Sequence, residues 1–227
     1  MAVPLPGHRF VQFRYDPDYL RDRPDLRTEN GVGLLNLPRC IRSDLIVDGG
    51  NVVRLRDTAI LTNKVCVENP RYSQRNLRAK LANLLEVDRL ILIPPEPEDV
   101  FGHSDGVLAF IDDRTLLVND YRRVEPEYGK GLKSLLARHR FDLVPFPYCP
   151  TNRVIDGIAS AEGCYINFLK TPDAIFLPAY GRREDDQATR ILERAMPGRD
   201  IIPIRCNKLA EKGGVIHCVT WSPQEER

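Results

Sequence analysis

The order of predicted elements is the feature that most constrains the fold. Strand, strand, helix and strand recur in that order at intervals of about 60 residues. The three passes cover 52–55, 59–62, 73–85 and 90–93; then 106–111, 115–118, 130–138 and 142–146; then 164–169, 174–177, 184–195 and 201–204. The recurrence predicts a modular α/β fold, because each unit can bury a sheet face only against a helix or a neighbouring unit.

Local signals support individual elements of these passes. Ser73 is suited to cap the first helix, in which Leu77 and Leu81 recur at helical spacing. The Asp-Gly-Gly-Asn segment at 48–51 has residues that tolerate positive φ, so it predicts a tight turn in a meander of short strands. An aromatic alternation at 10–15 predicts a further strand near the N-terminus.

Charge and composition disfavour several classes of protein. Lys and Arg number 33 and Asp and Glu number 32, so a net charge of +1 gives no long-range attraction for nucleic acid or anionic lipid. No apolar run approaches the roughly 20 residues that span a bilayer, and the N-terminus lacks the pattern of a signal peptide. We therefore expect a cytoplasmic protein that binds neither nucleic acid nor membrane.

The cysteines are scattered and have no Cys-x-x-Cys pair. They lie at Cys40, Cys66, Cys149, Cys164, Cys206 and Cys218. This spacing argues against a disulfide framework and against a zinc ribbon, and it predicts reduced thiols, five of them structural.

Three segments carry reactive side chains, each after a predicted strand, where loops on a rigid sheet place functional groups. They are Asp-Gly-Gly-Asn at 48–51, Gly-His-Ser-Asp-Gly at 102–106 and Gly-Gly-Val-Ile-His-Cys-Val-Thr at 213–220. Each also has a structural explanation: a hairpin turn, a surface loop, or a small buried Cys in a strand. In a strand, His217 and Cys218 would point to opposite faces, which disfavours a metal site made of His103, Asp105, His217 and Cys218. We expect no metal and no other cofactor.

In combination, the three segments resemble the agmatine deiminase and bacterial, Porphyromonas-type peptidylarginine deiminase group of the guanidine-modifying superfamily. The resemblance covers residues 10–223 and includes weaker similarity at 15–20, 68–70 and 165–168. It implies a pentein-type α/β propeller of about five ββαβ modules around a polar site.

The resemblance also implies roles for individual residues. Cys218 takes the place of the nucleophile, and His103 that of the general acid/base. Asp105 matches the carboxylate that binds the guanidinium, and Asp48 replaces the acidic residue, more often Glu, that orients the His. Asn51 and Asn167 are candidate substrate-binding residues, and the supporting loop glycines are Gly49, Gly50, Gly102, Gly213 and Gly214.

The chemistry explains why these residue types are needed. Resonance makes a guanidinium carbon poorly electrophilic, so attack requires a thiolate. A carboxylate can hold two N–H groups of the guanidinium, and an imidazole can protonate the leaving amine and then activate water. The implied reaction hydrolyses the guanidinium of agmatine, arginine or a peptidylarginine to a ureido product and ammonia through a covalent Cys thiouronium.

The N-terminus departs from the family. A second guanidinium-binding Asp is expected in an Arg-Asp-aromatic-Met-Pro segment before the strand at 10–15, and Met1 falls on the Met of that segment. We expect a single deiminase domain, 1–227, that lacks most of the first module through a misassigned start or a natural truncation. Asp16, Asp18 and Asp22 are candidates to replace the missing carboxylate.

Two alternatives to a deiminase stay open. An amidinotransferase would pass the same thiouronium to an amine, and a catalytically impaired, truncated homologue would bind guanidinium compounds without turnover. In each case the expected partner is a small guanidino compound or an arginine side chain. The sequence does not determine the oligomeric state, and a homo-oligomer is one alternative.

Overall fold

The computed structural model describes residues 2–27, 37, 39–151, 153–155 and 157–222, which form an α/β fold. It consists of two compact units. One comprises the described residues up to Ser104 together with Ser222, and the other is Asp105–Trp221. Met1, the residue on which the prediction of a misassigned start or a natural truncation is based, lies outside the described residues. The predicted single domain stays a prediction.

The first unit contains two three-stranded sheets of the same topology. They are β1 (Ala2–Leu5), β2 (Arg9–Arg14) and β3 (Cys40–Ile46), and then β4 (Val53–Leu55), β5 (Thr58–Thr62) and β6 (Arg89–Ile93). In both sheets the first two strands are antiparallel, and the third pairs with the second in parallel. A parallel neighbour requires a crossover connection. The strands predicted near the N-terminus and in the first pass are confirmed.

Two helices form the crossover of the second sheet, α1 (Lys64–Glu68) and α2 (Gln74–Leu85). The Oγ of Ser73 accepts a hydrogen bond from the N–H of Asn76, which confirms the predicted N-cap. The predicted apolar face packs into the core of this unit, where Leu77 and Leu81 are fully buried.

The second unit repeats this arrangement twice. The first repeat contains β7 (Leu108–Phe110), β8 (Thr115–Asn119), α3 (Pro126–Arg138) and β9 (Asp142–Phe146). A hairpin of β10 (Val154–Ile155) and β11 (Ile158–Ala159) follows. The second repeat contains β12 (Leu169–Lys170), β13 (Ala174–Ala179), α4 (Arg183–Ala195) and β14 (Asp200–Arg205), and then α5 (Asn207–Ala210). The recurring order of elements is confirmed, and the arrangement of the modules as a propeller stays a prediction.

Three local predictions are wrong. The segment at 48–51 is not a hairpin turn in a meander, because β3 and β4 belong to different sheets and Gly49–Asn51 forms a 3-10 turn after Asp48 at φ −85°. The strand predicted at 164–169 is reduced to the two residues of β12. His217–Val219 is also a 3-10 turn instead of part of a strand.

Among the described residues, no helix combines the length and apolar character needed to cross a membrane.

Candidate active site

His103 is oriented by a buried carboxylate in the first unit. It lies in the loop after β6, and its Nε2 is 2.9 Å from the Oδ2 of Asp48. Asp48, just after β3, is only 3% exposed. A carboxylate in this position fixes the orientation of an imidazole and stabilises its protonated form. The Asp side chain, although shorter than Glu, therefore reaches the predicted histidine.

Tyr19 is a second partner of this carboxylate, and its hydroxyl donates to the Oδ2 of Asp48 at 2.8 Å. Burial, reinforced by the charge of Asp48, raises the pKa of Tyr19 far above its ordinary value, so the phenol stays protonated and remains a donor. The rings of Tyr19 and Phe101 meet edge to face at 5.0 Å, and Phe101 lies 5.9 Å from the ring of His103. We call His103, Asp48 and Tyr19 the His103 group.

The loop that presents His103 requires a glycine before it. Gly102 has a φ of +60°, and a Cβ at this position would lie 2.8 Å from the Cδ of Lys64. The hydroxyl of Thr62 donates to the carbonyl of Gly102 at 2.5 Å, and the hydroxyl of Ser104 donates to the carbonyl of Ile60 at 3.2 Å. Hydrogen bonds to β5 and its end therefore hold both neighbours of His103.

The other predicted residues of the 48–51 segment have structural contacts. Asn51 is buried, and its Oδ1 accepts a hydrogen bond from the N–H of Thr62 at 2.7 Å. Gly49 and Gly50 belong to the 3-10 turn, and the carbonyl of Gly50 accepts a 3.4 Å hydrogen bond from Ser104. Asn51 thus fixes the turn against the end of β5, and its contact with substrate stays a prediction.

Cys218 lies in the second unit, and a buried amide holds its backbone. Cys218 is the exposed one of the six cysteines, all of which are reduced thiols. The Oδ1 of Asn167 accepts hydrogen bonds from the N–H groups of Cys218 and Val215, both at 3.3 Å. The carbonyl of Asn167 accepts from the N–H of His217 at 3.1 Å. Asn167, 3% exposed, therefore positions the turn that carries the thiol.

Asp105 and His217 form a pair that the sequence did not predict. The Nδ1 of His217 is 2.8 Å from the Oδ2 of Asp105, a carboxylate that is 5% exposed. The strand predicted for 217–218 would have turned the side chains of His217 and Cys218 apart, whereas the 3-10 turn removes that alternation. We call Cys218, Asn167, His217 and Asp105 the Cys218 group.

The glycines before this turn also have a steric role. A Cβ on Gly214 would lie 2.8 Å from both the Cβ and the Sγ of Cys218. Gly213 has a φ of +82°. Larger residues at these two positions would therefore displace the thiol or strain the chain.

The other cysteines are less exposed than Cys218, and three of them have raised pKa values. Burial is the main cause of the raised pKa values of Cys66, Cys149 and Cys206. A raised pKa lowers the thiolate fraction at neutral pH, so these three thiols are poor nucleophiles. In the described part of the chain, no cluster of three or more His, Cys, Asp and Glu side chains is arranged to hold a metal ion.

Comparison with known proteins identifies the family. The family model of the Porphyromonas-type peptidyl-arginine deiminase matches residues 11–223. The chain belongs to this family. Agmatine deiminase from Pseudomonas aeruginosa is 26% identical over 211 residues, which cover 78% of this chain and 56% of that protein. The chain spans between 56% and 63% of the length of its curated relatives.

Solved structures of this family share the fold. Agmatine deiminase of C. jejuni, a Cys-to-Ser variant with substrate bound, has a TM-score of 0.78 at 18% identity and matches 93% of this chain and 68% of its own. Agmatine deiminase of Enterococcus faecalis has a TM-score of 0.75 at 22% identity, with 93% and 68% covered. At these identities the likeness establishes the α/β fold of the family deiminases.

Proposed function

We propose that the chain is a guanidine-modifying deiminase, which hydrolyses a guanidinium group to a ureido product and ammonia. The observation that carries the proposal is the hydrogen bond between His103 and Asp48. Asp48 departs from the more frequent Glu, yet it holds the imidazole that an acid/base mechanism requires. Family membership and the exposed thiol of Cys218 support the same reaction.

In the proposed first step, the thiolate of Cys218 attacks the guanidinium carbon. His103 donates a proton to the departing nitrogen, which leaves as ammonia, and a thiouronium stays on Cys218. Asp105 is proposed to bind N–H groups of the guanidinium. Because its Oδ2 already accepts a hydrogen bond from His217, that contact fixes the orientation of the carboxylate.

In the second step, water replaces the sulfur. His103, which lost its proton in the first step, takes a proton from water as the water attacks the thiouronium carbon. The C–S bond of the tetrahedral adduct then breaks, its hydroxyl proton passes to solvent, the ureido product leaves and the Cys218 thiolate is regenerated. Asp48 keeps the imidazole in one orientation during both proton transfers.

Agmatine is the first substrate to test, because several relatives are agmatine deiminases, and arginine and peptidylarginine are the alternatives within the family. Two of the three acids considered for the second guanidinium-binding position already have cationic partners. Asp16 already pairs with Arg14 and Arg27, and Asp18 pairs with Lys64. Cytoplasmic location, the absence of other partners and the oligomeric state stay predictions.

The test is colorimetric detection of ureido product after incubation with agmatine, free arginine and an arginine peptide. Cys218→Ala should abolish product, and Cys40→Ala, which removes a half-buried thiol at the start of β3, should leave it unchanged. Amidino transfer to an added amine would indicate an amidinotransferase instead. Guanidinium binding without product would indicate a homologue that has lost turnover.

A further inference from the structure

Lys64 is a largely buried cation beside the His103 group. It is the first residue of α1, it follows the end of β5 closely, and its side chain is 10% exposed. An ammonium is costly to bury unless its N–H donors find partners. Folding therefore requires defined partners around this ammonium.

Three contacts surround the Nζ of Lys64. It is 2.9 Å from the Oδ1 of Asp18, and it donates a hydrogen bond to the carbonyl of Val100 at 2.7 Å. It also lies 4.9 Å from the centre of the Tyr19 ring, a distance at which a cation is attracted to the face of an aromatic ring. Asp18 and Tyr19 share one 3-10 turn, and Val100 lies in the loop that leads to His103. One ammonium thus joins two segments that are distant in sequence.

Both segments lead to the imidazole of His103. The hydroxyl of Tyr19 donates to the Oδ2 of Asp48, the same oxygen that contacts the Nε2 of His103. In the loop, Gly102 directly precedes His103 and packs against the side chain of Lys64, because a Cβ on this glycine would lie 2.8 Å from the Cδ of the lysine. Lys64 therefore contacts both the tyrosine that holds the orienting carboxylate and the loop that carries the imidazole.

A second lysine of the same unit has similar contacts with different neighbours. The Nζ of Lys80 is 2.9 Å from the Oδ1 of Asp44 and 4.9 Å from the centre of the Tyr72 ring. Its side chain is 38% exposed, compared with 10% for Lys64. An exposed ion pair contributes little to a fold, whereas the loss of a buried partner affects each group that it contacts. Lys80 is therefore a matched control for Lys64.

We propose that Lys64 is a positioning residue for His103 in the deiminase reaction. Its ammonium keeps the hydroxyl of Tyr19 directed at Asp48 and keeps the loop of His103 in place, so the imidazole and its carboxylate stay aligned during both proton transfers. The catalytic meaning of this role rests on the proposed function, since it assumes that His103 is the acid/base. The positioning itself does not.

The first test compares the kinetics of Lys64→Met and Lys80→Met. Methionine keeps the length of the side chain but removes the charge and the N–H donors. In Lys64→Met, kcat should fall about 10-fold while KM changes less than about twofold, because a displaced imidazole slows proton transfer without removing a group that binds substrate. Lys80→Met should leave both constants unchanged. An unchanged kcat in Lys64→Met would overturn the proposal.

A double-mutant cycle separates positioning from a general loss of stability. Tyr19→Phe keeps the ring beside Lys64 but removes the hydroxyl that donates to Asp48. In the double variant, the loss in kcat should be smaller than the product of the two single losses, because both changes act on the same carboxylate. Losses that multiply would show that the two residues act independently, against the proposal.

The second test is by NMR and needs no turnover. The rings of Phe101 and His103, whose centroids are 5.9 Å apart, should give nuclear Overhauser cross-peaks in the wild type, with His103 assigned through His103→Asn. These cross-peaks should weaken in Lys64→Met and stay unchanged in Lys80→Met. Equal cross-peaks in Lys64→Met and the wild type would overturn the proposal. If Lys64→Met does not fold, the ammonium protons of Lys64 in the wild type should exchange with water more slowly than those of Lys80, and equal rates would overturn it.

The failure of this proposal and the failure of the proposed function can be told apart. A chain that forms no ureido product, but whose cross-peaks weaken in Lys64→Met, keeps the positioning role and loses the deiminase. A chain that forms product, but whose kcat and cross-peaks are the same in Lys64→Met, keeps the deiminase and loses the positioning role.

Discussion

The His103 group and the Cys218 group are built in different ways. Side chains hold His103. The carboxylate of Asp48, whose side chain is 4% exposed, contacts the imidazole, and the hydroxyl of Tyr19 donates a hydrogen bond to the same carboxylate. A backbone contact holds Cys218, through the Oδ1 of Asn167, in a turn with an exposed thiol. The first arrangement fixes the tautomer and orientation of a ring, and the second leaves a sulfur accessible.

This difference fits the two proposed roles. An acid/base must keep one orientation through two proton transfers, which several fixed partners ensure. A nucleophile must form and break a bond to substrate, so it needs exposure and a well-placed support. We therefore expect mutations in the His103 group to act mainly on proton transfer, and mutations in the Cys218 group to act mainly on the position of the thiol.

After the complete loss of product expected for Cys218→Ala, the largest effect is expected for Asp48→Asn. The amide keeps the size of the side chain but loses the charge that favours protonated His103, so kcat should fall by about 100-fold or more. Steady-state kinetics measure the fall in kcat, and thermal unfolding is the control that the variant is folded. Asp48→Glu, which has the more frequent family residue, should keep most of the activity. Full activity of Asp48→Asn would break the proposed division of roles.

A smaller effect is expected for Asn167→Ala in the Cys218 group. Loss of the Oδ1 leaves the N–H groups of Cys218 and Val215 without their acceptor, at a cost of about 1–3 kcal/mol. The free energy of urea unfolding should fall by that amount, and alkylation of Cys218 should change in rate as the turn loosens. Unchanged stability and alkylation would show that the turn does not depend on Asn167.

Gly102→Ala tests the steric requirement at His103. The positive φ and the 2.8 Å approach to Lys64 predict a loss of about 1–2 kcal/mol in the free energy of unfolding. Gly106→Ala is the matched control, since Gly106 has no neighbour within 4 Å and no positive φ. Equal losses in the two variants, measured by urea unfolding, would contradict a special role for Gly102.

The smallest effect concerns pH and stability. The pKa of Glu68 is raised in the folded chain to about 7 from an ordinary value of 4.5. Its neutral form is therefore favoured by folding, and this contribution is fully present below pH 4.5 and is lost as the pH rises through 7. Urea unfolding at both ends of this window should show a smaller difference in Glu68→Gln than in the wild type. An equal difference would contradict a raised pKa.

Elements that depend on local pattern could be predicted from the sequence. The cap at Ser73 and the leucine spacing of α2 involve residues within one helix, and the short apolar runs of β5 and β6 also lie in one stretch of chain. Recognition of the three motifs selected His103, Asp48 and Cys218, and the structure gives each of them contacts that suit the proposed chemistry.

Non-local contacts could not be predicted. His217 and Asp105 are 112 residues apart, and Tyr19 and Asp48 are 29 apart, so no periodicity links them. The local pattern around His217 resembled a strand because apolar residues flank it, but hydrogen bonds from this segment to Asn167 accompany a 3-10 turn there. Local pattern also could not reveal that β3 and β4 belong to different sheets, which makes 48–51 a connection between sheets instead of a hairpin turn.

The central claim is that Cys218 forms the covalent intermediate. Agmatine labelled at its guanidinium carbon should be mixed with the chain, quenched in acid and analysed by peptide mass spectrometry. The account predicts a labelled adduct on the Cys218 peptide with the mass of agmatine less ammonia, and no adduct in Cys218→Ala. Ureido product formed without an adduct, or product that persists in Cys218→Ala, would contradict it.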